Sequence, residues 1–304
     1  MNLHRLDLVS LSLFGLVVRT GSISKGADLA HLAVAAASKR ISDLEDAVGA
    51  ALFERHSRGV TLTLAGQALH RHAQRILANV DQLAADLSDH AKGIVGAARL
   101  AANTSAVTQF LPADLAGFVA AHPGIRIELD ESDSHEAVLA VLDGRADLGL
   151  FAERTPTLGL QTVPYRRDRL VLVVPAGHAL AAHPRLAFID AVEHEFVSLS
   201  QGTSLAQRLE LEARSLGRQL RLRIHVRSFD AVCLMVAAGL GIGVLPDAAV
   251  QPHLRSMGLV RIELTDGWVE RQLLIGARDL AALARPVRLL LDHLTAPAPK
   301  AAGG

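Results

Sequence analysis

One short stretch combines small side chains with groups that can bind nucleic acid. Residues 33–37 read AVAAA, and a Ser-Lys-Arg run follows directly. Small side chains let a helix backbone lie close to bases, and a hydroxyl and cations one turn later can reach base edges and phosphates. A helix inserted in a DNA major groove needs this combination. Val34, Ala35 and the two alanines after it would touch thymine methyl groups, while Ser38 and Lys39 would form hydrogen bonds.

The elements around this stretch are predicted from the spacing of apolar residues. Three short helices and a β-wing are expected over 4–64, the first helix with an apolar stripe of Leu6, Val9, Leu13 and Val17. Ser22 or Ser24 can cap the second helix, which is expected from about residue 25 to 31. In the third helix, the face opposite the alanines is expected to hold the helix to its own domain.

The wing and the start of the second helix add cations to this surface. Alternating apolar residues around Gly59 predict the wing. Arg55 and Arg58 flank it and could reach phosphates or a minor groove. Ser22 and Lys25 are assigned to the same surface.

Overall charge gives no support to nucleic-acid binding. The 304 residues include 31 basic and 31 acidic side chains. The prediction therefore depends on local placement. An alanine-rich helix start is also common in helices without a ligand, so the stretch alone leaves both interpretations open.

A second amphipathic pattern predicts a long helix over 65–92. Apolar residues recur there at spacings of 4, 3, 4, 3 and 4, as in a coiled coil: Leu69, Ala73, Ile76, Val80, Leu83 and Leu87. We expect this seam to pair with a second copy of the chain. A helix packed only on its own domain is the alternative.

From residue 93 onward, strands and helices alternate, which predicts an α/β domain with a largely parallel sheet. The apolar strand 170–174 follows the charged segment YRRDR (165–169), which we interpret as a crossover to a second lobe. A return is expected near 265–267. The predicted divisions are 1–64, 65–92, 93–295 (lobe I about 93–165 and 266–295, lobe II about 166–265) and a disordered tail, 296–304.

No pattern of residues indicates catalysis, a metal site or a cofactor. The GLGIGV segment (239–244) has the wrong spacing for a dinucleotide site and follows a helix. The single Cys233 excludes an internal disulfide and fits a reducing compartment. No signal peptide or membrane span is recognised, so we expect a cytoplasmic protein. Since no catalytic pattern is found, we expect that it is not an enzyme.

Many residues over 6–66 match one family pattern in register. They are Leu6, Phe14, Gly21-Ser22, Ala27, Leu32, Ser38, Ile41, Leu44-Glu45, Leu52-Phe53-Glu54-Arg55, Thr63 and Ala65-Gly66. This region resembles the N-terminal region of LysR-type transcriptional regulators. The remainder resembles their effector-binding domain more loosely, through LDGRADLGL (142–150), VPAGHAL (174–180) and VAAGLGIGVLP (236–246).

The resemblance implies a winged helix-turn-helix, a long dimerisation helix and a two-lobed domain similar to type 2 periplasmic binding proteins. It also implies a homodimer or homotetramer on an operator, which we expect to be an inverted repeat, and a response to a small effector. Where most members carry Ser-Gln-Pro, this chain has Ala33-Val34-Ala35, and Lys39 stands where Arg is usual. The helix cap and one polar base-reading side chain are therefore missing.

In a two-lobed fold, ligands bind where strands end and helices begin. Two polar segments fit this position, AANTSA (101–106) and SLSQGTS (198–204), and would suit a carboxylate or another small polar group. The expected effector residues are Asn103, Thr104, Ser105, Ser132, Phe151, Ser200, Gln201, Thr203 and Phe229. Plain helix capping is the alternative for both segments.

One position separates this chain from some of the regulators it resembles. Ala152 stands where some of them have an arginine that can bind a carboxylate. Either Arg154 takes that role, or the effector is not a carboxylate.

The combined prediction is a DNA-binding regulator controlled by an effector. The alternative is a metabolite- or solute-binding protein whose N-terminal helices serve only assembly. The missing secretion signal weighs against a transport receptor.

Overall fold

The computed structural model describes residues 6–57, 59–91 and 96–296, and the side chains at 81–82 and 84–91 are outside that description. The predicted DNA-contacting Arg58, the predicted seam side chain Leu87 and residues 297–304 of the predicted tail therefore lie outside the described residues. The chain divides into two compact units, Met1–Lys92 with Asp143–Arg145, and Gly93–Leu142 with Ala146–Gly304.

The first unit is helical with a two-stranded wing. Its elements are α1 (Leu8–Thr20), α2 (Ile23–Leu29), α3 (Val34–Val48), β1 (Phe53–His56), β2 (Gly59–Leu62) and α4 (Leu64–Ala91). The Asp7 carboxylate accepts a hydrogen bond from the Ser10 amide at the start of α1, and Gly21 ends α1 with a φ of 64°.

Apolar side chains from all four helices and the wing form one core in this unit. The largest fully buried members are Phe14, Leu13, Ile41, Leu44 and Leu52. The predicted stripe of α1 is wrong at Val9, which is 53% exposed, whereas Leu11 is buried. The helix is apolar on more than one side, so periodicity alone could not select the buried face.

The second unit alternates strands and helices. Its strands are β3 (Gly96–Asn103), β4 (Ile125–Ser132), β5 (Leu148–Ala152), β6 (Gln161–Pro175), β7 (Arg185–Leu186), β8 (Glu195–Leu199), β9 (Arg221–Val226), β10 (Gly243–Pro246), β11 (Leu259–Leu264) and β12 (Glu270–Ala277). Its α-helices are α5 (Thr104–Gln109), α6 (Leu111–Ala121), α7 (Ser134–Leu142), α8 (Phe188–Ala191), α9 (Ser204–Ser215), α10 (Phe229–Ala237), α11 (Asp247–Val250) and α12 (Arg285–Thr295).

The main sheet has the strand order β4-β3-β5-β12-β6-β11-β7, and β10 also pairs with β6. The expected largely parallel sheet is wrong in its centre. β12 is antiparallel to β5 and β6, and β6 is antiparallel to β10 and β11. Parallel pairing occurs at the flanks and in the separate β8–β9 pair.

The charged segment 165–169, interpreted as the crossover to the second lobe, is part of the 15-residue strand β6. The first part of β6 pairs with β12, and from Leu170 onward it pairs with β10 and β11. The strand tolerates this charge because its charged side chains have partners from distant parts of the chain. Arg166 pairs with Asp114, and Asp168 pairs with Arg271.

Separate hydrophobic cores define the two lobes of this unit. Lobe I is built on β3, β4, β5 and α12, and its core includes Leu100, Phe118 and Leu290. Lobe II is built on the second part of β6 with β8, β10 and β11, and its core includes Leu172 and Phe196. The two cores are therefore joined through β6.

The chain connects the two lobes twice. It passes from lobe I to lobe II within β6. It returns between Val269, which belongs to the lobe II core, and Glu270 at the start of β12.

Candidate nucleic-acid interface and ligand cleft

Helix α3 presents the face of small residues to solvent. Val34 is 47% exposed, Ala35 and Lys39 are exposed, and Ser38 is half-buried. Ala37 is fully buried, so the expectation that it touches thymine methyl groups is wrong. The remaining buried positions of this helix lie on the opposite face and join the core of the first unit: Ile41, Leu44 and Ala47.

The start of α3 has no side-chain cap. Ala33 occupies the capping position in an extended conformation and provides no acceptor for the first helical amides. In contrast, the Ser22 hydroxyl oxygen accepts a hydrogen bond from the Lys25 amide at 3.4 Å and caps α2. Ser22 therefore has a local structural role, and the Lys25 side chain is exposed.

The wing is a short antiparallel hairpin next to the end of α1. Arg55 is exposed on β1, opposite Val60 on β2. The Val60 amide donates to the Gly21 carbonyl at 2.9 Å. At Gly59, a Cβ atom would lie 2.2 Å from that carbonyl oxygen, so only glycine fits there.

The apolar row of α4 divides into two parts. Leu69 and Ala73 pack into the core of the first unit, and Ala73 is only 1% exposed. Ala73 is therefore not available to a partner, which corrects the predicted seam at that position. Ile76, Val80 and Leu83 are 42%, 37% and 58% exposed, so this part of the row is not buried within its own unit.

In lobe I, the segment after β3 is held by hydrogen bonds between side chains. The Asn103 Oδ1 atom accepts from the Ala106 amide at 2.9 Å and caps α5, while Nδ2 donates to the Ser134 Oγ atom at 2.9 Å. The Thr104 hydroxyl donates to Glu131 Oε1 at 2.8 Å. These bonds fix the ends of β3 and β4 at one edge of the lobe.

In lobe II, only part of the predicted polar segment faces the cleft. Thr203 caps α9 by accepting from the Ala206 amide at 3.3 Å. The Ser200 hydroxyl donates to the Val226 carbonyl at 3.2 Å, and Gln201 is exposed. Ser200 and Gln201 do not line either of the two cleft cavities described below, so the structure does not support them as cleft residues.

A cavity of about 400 Å³ brings most of the predicted effector residues together. The predicted residues that line it are Asn103, Thr104, Ser105, Ser132, Thr203 and Phe229. The cavity also has charged residues that the sequence did not single out, namely Glu131, Asp133 and Arg227.

Phe151 is wrong as a cleft residue. It is 0% exposed and packs in a core beneath α7. Its ring fills the space that a Cβ atom at Gly276 would need. Side chains alternate between the two faces of a strand. Its neighbour Ala152 lies on the other face of β5 and lines the larger cavity.

A larger cavity of about 600 Å³ lies next to the first. It is lined from lobe I by Arg154 and His135 and from lobe II by Gln207, Arg208 and Trp268. The sequence pointed to Arg154 only as a substitute carboxylate ligand and gave no sign of the others. They come from separate loops and helices, and no short motif connects them.

Ser134 and Ser204 line both cavities and join the two lobes. The Ser134 hydroxyl donates to Ser204 Oγ at 3.3 Å. Ser134 is 3% exposed, and its oxygen also accepts from Asn103 Nδ2 and from the Ala152 amide. Ser134 is therefore the centre of a buried hydrogen-bond network, whereas Ser204 is at its edge.

This difference predicts unequal effects of two matched substitutions. Ser134→Ala leaves two buried donors without an acceptor, so we expect the free energy of unfolding to fall by about 1–3 kcal/mol. Ser204→Ala removes the acceptor of the Ser134 hydroxyl, but this hydroxyl lines both cavities and can donate to water instead. The free energy of unfolding should therefore change by less than about 0.5 kcal/mol. Urea unfolding of both variants checks this. Equal effects would show that the bonds Ser134 accepts from Asn103 and Ala152 add no stability beyond its contact with Ser204.

Other groups that could react or bind a ligand have structural roles. Burial, together with the Asp230 carboxylate, raises the pKa of the Cys233 thiol to about 11, so little thiolate forms at neutral pH. A Cβ atom at Gly241 would lie 2.6 Å from the Glu195 carbonyl oxygen, which explains one glycine of the GLGIGV segment by close packing. Among the described residues, no group of three or more His, Cys, Asp or Glu side chains is arranged to hold a metal ion.

Within the described ranges, no helix is both long enough and apolar enough to cross a bilayer.

Each of the two units matches a known protein family. Residues 91–298 match the LysR substrate binding domain, and residues 8–67 match the bacterial regulatory helix-turn-helix protein, lysR family.

Curated proteins of similar sequence are regulators by name. The RuBisCO operon transcriptional regulator of Allochromatium vinosum is 27% identical over 267 residues, which cover 88% of this chain and 87% of that protein. The probable HTH-type transcriptional regulator LrrA of Synechococcus elongatus is 30% identical over 253 residues, covering 81% and 83%.

Solved structures share the fold over most of the chain. Full-length CbnR in complex with its target DNA superposes with a TM-score of 0.68 at 20% identity, covering 95% of this chain and 99% of that one. Full-length BenM has a TM-score of 0.58 at 25% identity, covering 95% of each chain.

Proposed function

Because the chain belongs to the LysR family of transcriptional regulators, we propose that it binds operator DNA through α3 and the wing and that a small molecule in the interlobe cleft controls its activity. The observation that carries the DNA-binding part is the division of α3 into two faces. One face is buried in the core, and the other presents Val34, Ala35 and Lys39 to solvent without large side chains between them. Such a face can approach base edges closely.

Three further residues support the assignment of this surface to DNA binding. Ser38 is on α3, Lys25 is exposed on α2 and Arg55 is exposed on the wing. Cations on the elements beside a recognition helix can bind phosphates and fix the position of the helix on the duplex.

The test of this function is binding to the DNA upstream of the chain's own gene. Fluorescence anisotropy should show a preference for that duplex over a random duplex of equal length and composition. Binding should weaken as salt concentration rises. Equal affinity for both duplexes would contradict the proposal of sequence-specific binding.

Lys39→Ala should weaken operator binding without unfolding the protein, because the side chain is exposed. Loss of one phosphate contact should lower the slope of log affinity against log salt concentration by about one. The matched control is Arg75→Ala, which removes an exposed cation from α4, outside α3 and the wing. An unchanged salt slope for Lys39→Ala, or an equal loss for Arg75→Ala, would remove Lys39 from the interface.

The controlling ligand is proposed to bind in the interlobe cleft. Its smaller cavity contains hydroxyl and amide groups from both lobes, including Thr104 and Thr203. A ligand that contacts both lobes can shift the equilibrium between open and closed arrangements by its differential affinity for them. This supports regulation by a small polar effector.

The proposal also includes assembly, location and mode of action. The exposed apolar residues Ile76, Val80 and Leu83 on α4 support a homodimer, which could pair further into a tetramer. A regulator of chromosomal DNA acts in the cytoplasm, and we include this location in the proposal. The protein would act by binding rather than by catalysis.

The alternative function is a metabolite-binding protein whose first unit serves only assembly. The exposed face of α3 favours DNA binding over this alternative. The two functions differ in one result: the alternative requires ligand binding in the cleft with no preference for any duplex.

A further inference from the structure

Lobe II contains a further cavity of about 410 Å³, away from the interlobe cleft. Its lining comes from the turn after β6, the turn before β8, strand β9 and the turn between α10 and β10. It begins at Glu195, the first residue of β8, whereas Leu199 at the other end of β8 lines the smaller cleft cavity. The two sites are therefore separated by roughly 13 Å along this strand. The volume is within the range of small-molecule sites, roughly 300–1,000 Å³.

Arg223 gives this cavity a positive charge that has no partner within the chain. It is exposed on β9, and no ion pair joins it to a described carboxylate. Arg221, two residues earlier on the same face of the strand, pairs instead with Glu193 at 3.2 Å. Arg223 is therefore available to an anion from outside the chain, which a guanidinium can bind through two parallel hydrogen bonds.

Two histidine rings add hydrogen-bond donors to the same cavity. The rings of His178 and His194 are half-buried, with their centres 4.9 Å apart. The His178 Nδ1 atom accepts from the Leu180 amide at 3.2 Å, so Nε2 carries the hydrogen and is the donor of this ring. Burial, and to a smaller extent His194, lowers the pKa of His178, so this ring stays neutral near pH 7.

Two glycines leave space beside these donors. At Gly177 and at Gly239, a Cβ atom would have no heavy atom within 4 Å. Gly239 has a φ of 75°, so its conformation favours glycine in any case. Gly177 does not have a positive φ, and its lack of a side chain keeps the space next to His178 open.

Glu195 restricts the kind of anion that fits. Its carboxylate is exposed, lines the cavity and forms no ion pair with a described cation. A carboxylate repels a simple anion at short range. It attracts a ligand that carries an ammonium group besides its anionic group, because the ammonium group can donate to it.

We propose that the lobe II cavity binds a zwitterionic phosphate monoester, with its phosphate on Arg223 and the two histidines and its ammonium group on Glu195. A phosphate has three strongly accepting oxygens and can serve three separate donors, whereas a carboxylate has two oxygens. This site is additional to the proposed effector cleft. All of its lining residues belong to lobe II, so binding does not require closure of the cleft.

Calorimetric titration of the full-length protein tests the ligand class with phosphoethanolamine, ethyl phosphate and β-alanine. Ethyl phosphate lacks the ammonium group, and β-alanine has a carboxylate in place of the phosphate. We expect saturable binding of phosphoethanolamine and at least about fivefold weaker binding of each of the other two. If phosphoethanolamine does not bind, or binds no more tightly than β-alanine, the proposal is wrong.

Substitutions on β9 then locate the phosphate. Arg223→Gln should weaken phosphoethanolamine binding by about tenfold or more, the loss expected for one charged hydrogen bond. The matched control is Arg221→Gln, which removes an exposed arginine from the same face of the same strand and should leave the affinity unchanged. Both side chains are exposed, so both variants should fold. Equal affinities in the Arg223→Gln variant and the parent would overturn the assignment.

The histidine contribution is tested by His178→Asn. The asparagine oxygen can still accept from the Leu180 amide, so the local turn should persist, but the Nε2 donor is lost. We expect phosphoethanolamine binding to weaken by about tenfold. Unchanged binding by a folded His178→Asn variant would show that this ring does not hold the phosphate and would contradict the proposed geometry.

Glu195→Gln tests the opposite end of the ligand. The substitution keeps the shape of the side chain and removes its charge, so it should abolish the preference for phosphoethanolamine over ethyl phosphate without weakening the binding of ethyl phosphate. A preference that persists in this variant would contradict the role of Glu195. Operator preference is measured in a separate assay, and none of these outcomes affects the proposal that the chain binds operator DNA.

Discussion

Asp168→Ala should lower the free energy of unfolding of the second unit by about 3–5 kcal/mol. Asp168 in β6 and Arg271 in β12 are cross-strand partners, and their side chains are 2% and 9% exposed. The Arg271 Nε atom donates to Asp168 Oδ1 at 2.8 Å, and Gln109 donates to Oδ2 at 3.0 Å. Without the carboxylate, the Ser105 hydroxyl is the one side-chain acceptor left to the buried guanidinium among the described residues.

Urea unfolding monitored by Trp268 fluorescence measures this effect in the second unit. The matched control is Arg169→Ala, which breaks an ion pair to Glu263 with side chains 39% and 36% exposed. Such a pair contributes at most about 1 kcal/mol. The double variant Asp168→Leu with Arg271→Met removes both charges and should recover much of the stability. If Asp168→Ala unfolds at the same urea concentration as the parent, the ion pair does not stabilise the lobe connection.

Val80→Asp should dissociate the proposed homodimer, raising its dissociation constant at least about a hundredfold. Val80 is 37% exposed in the single chain, so the new carboxylate is solvated in the monomer and the fold should persist. In the dimer, the carboxylate would be buried in an apolar seam beside Ile76 and Leu83. Operator affinity should fall with it, because one chain can contact only one half-site.

Sedimentation velocity over a range of protein concentrations measures the dimer, and circular dichroism checks the fold. Gln74→Asp is the matched control, since it adds the same charge at an exposed position roughly 120° around the helix from Val80. A Val80→Asp variant that stays dimeric would place the seam on another surface.

The alternation of strands and helices in the second unit could be predicted because the strands are short, apolar and bounded by polar turns. It did not predict that β6 runs through the charged segment 165–169. The partners that neutralise this segment, Asp114 and Arg271, are about 50 and 100 residues away along the chain. No local pattern contains that information.

The candidate sites were predictable to different degrees. The exposed face of α3 follows from helical periodicity, since Ile41 and Leu44 mark the buried side. Phe151 was placed in the cleft although alternation along β5 puts Ala152 there instead, so stricter use of the two-residue period would have corrected it. The pairing of Arg208 with Trp268 joins residues 60 positions apart and needs the tertiary structure.

The unbroken strand β6 has a mechanical consequence for the second unit. Its first part is hydrogen-bonded to β12 and its second part to β10 and β11, so the two lobes share a ribbon of sheet rather than a flexible loop. Rotation of one lobe against the other must twist this ribbon, and its hydrogen bonds resist large distortion. We therefore expect closure of the cleft to have a small angular range and to meet an elastic restoring torque, which would return the lobes to their resting orientation when a ligand dissociates.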